Sequence, residues 1–132
     1  MNIFVSGPLM FGDVIKAVTG KTFESQHGHL RGYGQFMLRD EGQSAMIPFP
    51  DHELSGVVYL DVDDSSVEKL DAFQGARFSR QEVSVESENG MWHEAEAYEL
   101  KLSRKSLLTA REWDEDEFRD KHLKKVVASC RI

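Results

Sequence analysis

The alternation of apolar and polar positions divides the chain into short elements. "NIFVSG", residues 2–6 with their closing glycine, is rich in β-favouring side chains and reads as a strand ending in a turn. Val14, Ile15 and Val18 follow at helical spacing, and Gly20 is placed to stop that helix. From Thr22 to Leu38 the pattern is strand-like, and Gly28, Gly32 and Gly34 inside it predict bulges or tight bends. "PFPDHE" reads as a loop, because two prolines so close together do not fit a sheet interior. "LSGVVYLDV" resumes a strand.

The clearest helix is predicted over 64–73. Ser65 and Glu68 have capping-box spacing, Val67, Leu70 and Phe73 form an apolar stripe, and Gly75 follows the stop. "RQEVSVES" and "HEAEAYELKL" flank Asn89-Gly90, a strong hairpin signal. "WDEDEF" opens a C-terminal helix in which Asp114 caps, Trp113 staples against Phe118, and Leu123, Val126 and Val127 carry the stripe onward. Strands that are mostly sequence neighbours imply antiparallel pairing and an α+β fold. The glycines in the strands point to a small closed or nearly closed barrel.

Length and composition narrow this further. The 132 residues suit one domain, 1–132, and 40% apolar with 30% charged residues is an ordinary globular mixture. A net charge of -7 argues against nucleic acid as a partner. Residues 86–99 hold five glutamates and no Lys or Arg, which reads as a solvated strand edge. The N-terminal stretch lacks a basic region and is followed by Asp13, so it reads as a strand and not as a signal or membrane segment. A single cysteine, Cys130, excludes an internal disulfide and fits a reducing, cytoplasmic setting; no histidine pattern near it marks a catalytic thiol.

Candidate chemistry is sparse. His27 and His29 share a strand face, but no zinc-ligand motif completes a set, and His52, His93 and His122 lie on other elements. No metal or cofactor is expected. No P-loop, dinucleotide fingerprint or nucleophile elbow is present. Two stretches stand out: "VSGPLM", a strand running through a glycine turn into a helix, and "LDAFQGARFSR", at another helix end. A turn of the first kind aims backbone N–H groups outward and can hold a carboxylate.

With "LRGYGQF", "LSGVVYLDV" and "AEAYEL", these stretches resemble, in order and spacing, the γ-glutamylcyclotransferase-like (AIG2-like) superfamily over nearly the whole chain. The resemblance implies a mixed, mostly antiparallel six-stranded barrel-like sheet with flanking helices and a cavity at the first turn. It implies that the turn Ser6, Gly7, Pro8, Leu9 binds a γ-glutamyl group and that Phe78 borders it. A glutamate before the glycine of the second motif would deprotonate the substrate's α-amine, which then closes 5-oxoproline and expels the amine.

This chain departs from the pattern where that chemistry sits. Gln74 stands at the general-base position, and a carboxamide takes no proton at physiological pH. Pro8 removes a backbone N–H from the turn, and Ser6 and Phe78 stand where tyrosines are usual. Glu53, Asp71 and Glu82 are the carboxylates that would have to substitute. The expected protein is therefore a cyclotransferase-like protein with weak or lost catalysis, binding a small γ-glutamyl or other carboxylate-bearing ligand. The alternatives are an enzyme of altered chemistry on such conjugates and a non-catalytic interaction domain. Whether it is a monomer or a dimer stays open.

Overall fold

The computed structural model describes residues 1–39 and 43–130. In chain order these form β1 (Ile3–Val5), a 3-10 turn (Pro8–Met10), α1 (Gly12–Thr19), β2 (Ser25–Leu38), β3 (Ser44–Tyr59) and α2 (Asp64–Gln74). Then follow β4 (Phe78–Ser87), β5 (Trp92–Leu100), a second 3-10 turn (Leu102–Leu107), β6 (Leu108–Glu112), α3 (Glu115–Lys121) and α4 (Leu123–Cys130). β1 lies between β3, antiparallel, and β5, parallel; β5 pairs with β4, β4 with β2, and β2 returns to β3. That circuit is a closed five-stranded barrel, and β6 adds a sixth strand along β2. The α+β barrel-like sheet expected from the sequence is thus present.

Closure requires close backbone approach. A Cβ on Gly28 would lie 2.6 Å from Val85 Cγ1 and 3.2 Å from the Glu86 carbonyl oxygen, so only glycine lets β2 meet β4 there. The bulge expected among the β2 glycines lies between Arg31 and Tyr33, at Gly32. Strand alternation builds two layers of core. Phe4, Leu30, Met46, Val58, Val85 and Ala97 form one cluster. Ile3, Val5, Val57, Tyr59 and Tyr98 join Val14 and Ile15 of α1 and Val67 and Leu70 of α2 in another.

Four expectations need correction. The segment 48–53 is not a loop: β3 runs through Pro48 and Pro50, because the pairing passes from Tyr33↔Pro48 directly to Arg31↔Glu53. The intervening residues 49–52 have no register partner, so Pro50 need supply no ladder N–H. The cap of α2 is Asp63, not Ser65. Its carboxylate accepts from the Ser66 N–H (3.2 Å), the Ser66 hydroxyl (2.7 Å) and the Ser65 hydroxyl (2.8 Å). Those hydroxyls, with Lys21 3.2 Å away, hold the Asp63 carboxyl well below the usual carboxylate range. The C-terminal helix is two helices, since His122 (φ -125°) separates α3 from α4. Its expected start is present: the Glu117 N–H donates to Asp114 Oδ1 at 3.0 Å, and the Trp113 and Phe118 ring centroids are 6.1 Å apart. Lastly, the glutamate-rich β5 is not a sheet edge, for it pairs with β4 on one side and β1 on the other.

The hairpin at Asn89-Gly90 joins β4 to β5, with Gly90 at φ 81°. No helix of the described residues is long and apolar enough to cross a membrane.

Candidate functional site

At the end of β1 the chain turns at Gly7, whose φ of 85° and ψ of -152° suit glycine and few other residues. Met10 N–H then donates to the Gly7 carbonyl at 3.0 Å and Phe11 N–H to that of Pro8 at 3.2 Å, which makes the 3-10 turn. The Leu9 N–H precedes the first of these bonds and is left outside the turn's own ladder. Pro8 has no N–H to offer. The buried Tyr59 fixes the turn from beneath, its hydroxyl donating to the Leu9 carbonyl at 2.8 Å. Burial pushes that phenol up from 10.0 to about 12.

α2 ends on the other side of the same space. Gly75 (φ 81°) stops it, with its N–H donating to the Asp71 carbonyl at 2.9 Å, and Gln74 is the last helical residue. Asp71, nearly a turn earlier, is clamped to the sheet: Tyr98 donates its hydroxyl to Oδ1 at 2.6 Å, and Arg80 Nε lies 3.0 Å away. Arg80 also meets Glu96 at 3.0 Å. Burial, then the hydrogen bond and charge of Asp71, push the Tyr98 phenol far up. For Arg80 the attraction of Asp71 and Glu96 outweighs burial, and its pKa rises.

Between the turn and the helix end lies a cavity of about 180 Å³. That suits an amino-acid-sized molecule and is below the roughly 300–1,000 Å³ of drug-sized sites. Ser6, Pro8, Leu9, Gln74 and Phe78 all line it. Gly7 is held against its wall, since a Cβ there would lie 2.8 Å from Gln35 Nε2, itself on a lining side chain. The structure thus places five of the six residues singled out by sequence on the cavity wall, with Gly7 behind Gln35.

Other lining residues were not legible. Gln35 of β2 and Ser44 of β3 are joined by a hydrogen bond, Nε2 donating to Oγ at 2.9 Å. α4 contributes Val126 and Ser129, and Tyr98 of β5 also reaches the wall. Gln35 carried a signal in retrospect: a glutamine inside "GYGQFML" sits among apolar strand positions, and it is only 8% exposed. α4 carried none, because its place depends on how it docks against α1.

Among the described residues no aspartate or glutamate lines the cavity. Glu53 pairs with His29 at 3.3 Å and borders an adjoining groove that shares Ser6 and Gln35 with the cavity. Asp71 is engaged as above, and Glu82 is exposed on β4. Glu99 of β5 is pushed above the usual carboxylate range by burial, yet it too is absent from the lining. The histidines do not converge: His52 meets Glu112 at 3.0 Å, His122 packs by Phe118, and His27 is exposed. No group of three or more His, Cys, Asp or Glu among the described residues is placed to hold a metal. Cys130 is free at the end of α4.

Residues 3–115 match the family model for γ-glutamyl cyclotransferase, AIG2-like. AIG2-like protein A of Arabidopsis thaliana is 26% identical over 96% of this chain and 76% of its own length. A solution structure of an Arabidopsis thaliana protein, 26% identical, superposes with a TM-score of 0.73 over 97% of this chain and 86% of that one. The crystal structure of an AIG2-like protein from Mus musculus, at 19% identity, shares the fold with a TM-score of 0.67, covering 86% and 87% of the two chains.

Proposed function

The chain belongs to the γ-glutamyl cyclotransferase, AIG2-like, family, and on that premise we propose that it binds a small γ-glutamyl or related carboxylate-bearing ligand at the β1 turn while its cyclotransferase chemistry is weakened or lost. The observation that carries this reading is the presence of Gln74 on the cavity wall with no carboxylate among the other described lining residues. Cyclisation to 5-oxoproline requires a proton to leave the α-ammonium before the amine attacks the γ-carbonyl and a proton to reach the departing nitrogen. A carboxylate relays that proton; a carboxamide does not.

Binding has different requirements, and these are retained. The Gly7 and Leu9 amides can donate to a carboxylate or carbonyl oxygen. The Gln74 amide offers a donor and an acceptor, and Tyr59 and Asp71 keep both walls in place. Pro8 costs one donor, so affinity is reduced but not abolished.

Calorimetric titration with γ-glutamyl amino acids and γ-glutamyl amines tests the reading, with 5-oxoproline measured in the same samples. The expected result is saturable binding in the millimolar range or tighter, with little or no 5-oxoproline. Absence of binding across millimolar concentrations contradicts the ligand assignment, and rapid release of 5-oxoproline contradicts the assignment of lost chemistry.

A further inference from the structure

Every described residue that lines the cavity is uncharged. On the β2 and β3 side, Gln35 and Ser44 are hydrogen-bonded to each other. The α2 and α4 sides differ in character. Phe73 continues the apolar stripe of α2, but whereas Val67 and Leu70 are buried in the core, Phe73 is 38% exposed and lines the cavity. A large ring left partly in water gains free energy when a ligand covers it. Val126 of α4 lines the same cavity, and the nearby Ser129 hydroxyl donates to the Val126 carbonyl at 2.7 Å, so its proton is already committed. α4 spans Leu123–Cys130, beyond residue 115 where the family match ends, so this wall lies outside what the chain shares with the family model.

We propose that Phe73 and Val126 form a second subsite of this cavity, which takes an uncharged apolar group at the far end of the ligand, such as the alkyl chain of an amine conjugate. The inference rests on the cavity being the ligand site, and it deepens that reading by naming the chemistry of the ligand's other end. An alkyl group at this subsite removes the Phe73 ring and the Val126 methyls from water together with its own surface. A terminal ammonium in the same place gives up hydration and meets no carboxylate in the described lining, so it is disfavoured. Phe73 and Val126 are thus specificity-determining residues that discriminate by polarity. With about 180 Å³ to share with the rest of the ligand, and Phe73 partly exposed, the subsite suits a short chain.

The test is calorimetry on the full chain with two probes of equal chain length. N-pentyl-γ-glutamylamide ends in a methyl group and N-(4-aminobutyl)-γ-glutamylamide in an ammonium. N-methyl-γ-glutamylamide, which lacks the chain, reports on the rest of the cavity. The wild type should bind the pentyl probe about tenfold or more tighter than the aminobutyl probe, as covering apolar surface and sparing an ammonium its desolvation imply. Phe73→Ala should bring that preference down to about threefold or less. Ser129→Asp, at an exposed position of α4, puts a carboxylate beside the subsite and should also lower the preference, by favouring the aminobutyl probe. The variants are read independently, so a folding defect in one leaves the other to decide. A smaller or reversed wild-type preference, with the methyl probe still bound, overturns the subsite and leaves the cavity as the ligand site. A tenfold preference that neither variant lowers overturns its assignment to Phe73 and α4. Binding of none of the three probes overturns the site assignment and this inference with it.

Discussion

Tyr59→Phe removes one oxygen from beneath the β1 turn and leaves the ring in place. In the native protein the Tyr59 residue is 4% exposed, and its hydroxyl donates to the Leu9 carbonyl at 2.8 Å. Losing the donor leaves a buried carbonyl short of a partner, at a cost of about 1–3 kcal/mol. For a chain of this size that lowers Tm by roughly 3–10 °C. The phenol supplies a second signature. Burial raises its pKa from 10.0 to about 12, so in the unfolded chain it ionises first. Above pH 10 the unfolded state has lost a proton that the folded state retains, and stability falls as pH rises towards 12. The neutral phenol's contribution is complete below pH 10 and is lost as pH rises through 12, the two-unit difference corresponding to about 3 kcal/mol in full. Denaturant unfolding of both proteins at pH 7, 10 and 11.5 is the assay. Tyr59→Phe should be less stable at pH 7, and the gap should narrow or reverse at pH 11.5. Equal stability at pH 7 together with parallel decay in alkali would refute the role assigned to this hydroxyl.

The remaining predictions concern the two cavity walls and the α2 cap. Gly7→Ala puts a side chain at φ 85° and 2.8 Å from Gln35 Nε2, so it should cost about 1–3 kcal/mol in thermal unfolding and weaken γ-glutamyl binding. Asp71→Asn removes the charge that Arg80 meets at 3.0 Å. Because that pair is partly exposed, the loss should be about 1 kcal/mol and should shrink in 1 M salt; a loss insensitive to salt would assign the effect to Tyr98 instead. Asp63→Ala should lower Tm at neutral pH by removing the α2 cap. The Asp63 carboxyl titrates lower in the folded than in the unfolded chain, so its contribution is present above its ordinary 3.8 and is lost as pH falls below that value. Melting curves at pH 7 and pH 2 should therefore show the difference from wild type shrinking in acid.

Local rules located what local chemistry decides. The Gly20 and Gly75 stops, the Asn89-Gly90 hairpin, the Asp114 cap and the short first strand all follow from residues near one another in sequence. Pro48 and Pro50 misled because the rule against proline in strands concerns a missing N–H, and the pairing of β3 with β2 passes from Pro48 to Glu53, skipping residues 49–52 with Pro50 among them. Asp63 was hidden as a cap by the more familiar Ser65–Glu68 spacing, though its carboxylate gathers three donors from the first turn. At the site, Gln74 and the Ser6–Leu9 turn were legible because each sits inside a motif. Gln35, Ser44 and Ser129 were not, because barrel closure and the docking of α4 bring them together over distances no periodicity reports. Asp71 and Arg80 were visible as motif positions, but only the fold shows them tying the end of α2 to β4 and β5.

The central claim is that the cavity lacks the proton relay that cyclisation needs. It is tested most directly by 5-oxoproline formation from a γ-glutamyl amine, measured for wild type, Gln74→Glu, Pro8→Thr and the double variant at equal concentration. A positioned general base contributes roughly 10²–10⁴ in rate, and one preorganised donor on the order of 10²–10³ where charge develops on a carbonyl oxygen. The expected result is a wild type near background, a measurable gain for Gln74→Glu, and the highest rate for the double variant. Robust turnover by the wild type, unchanged by Gln74→Glu, would contradict it and would direct attention to Glu99, the partly buried carboxylate of β5 whose pKa is already raised.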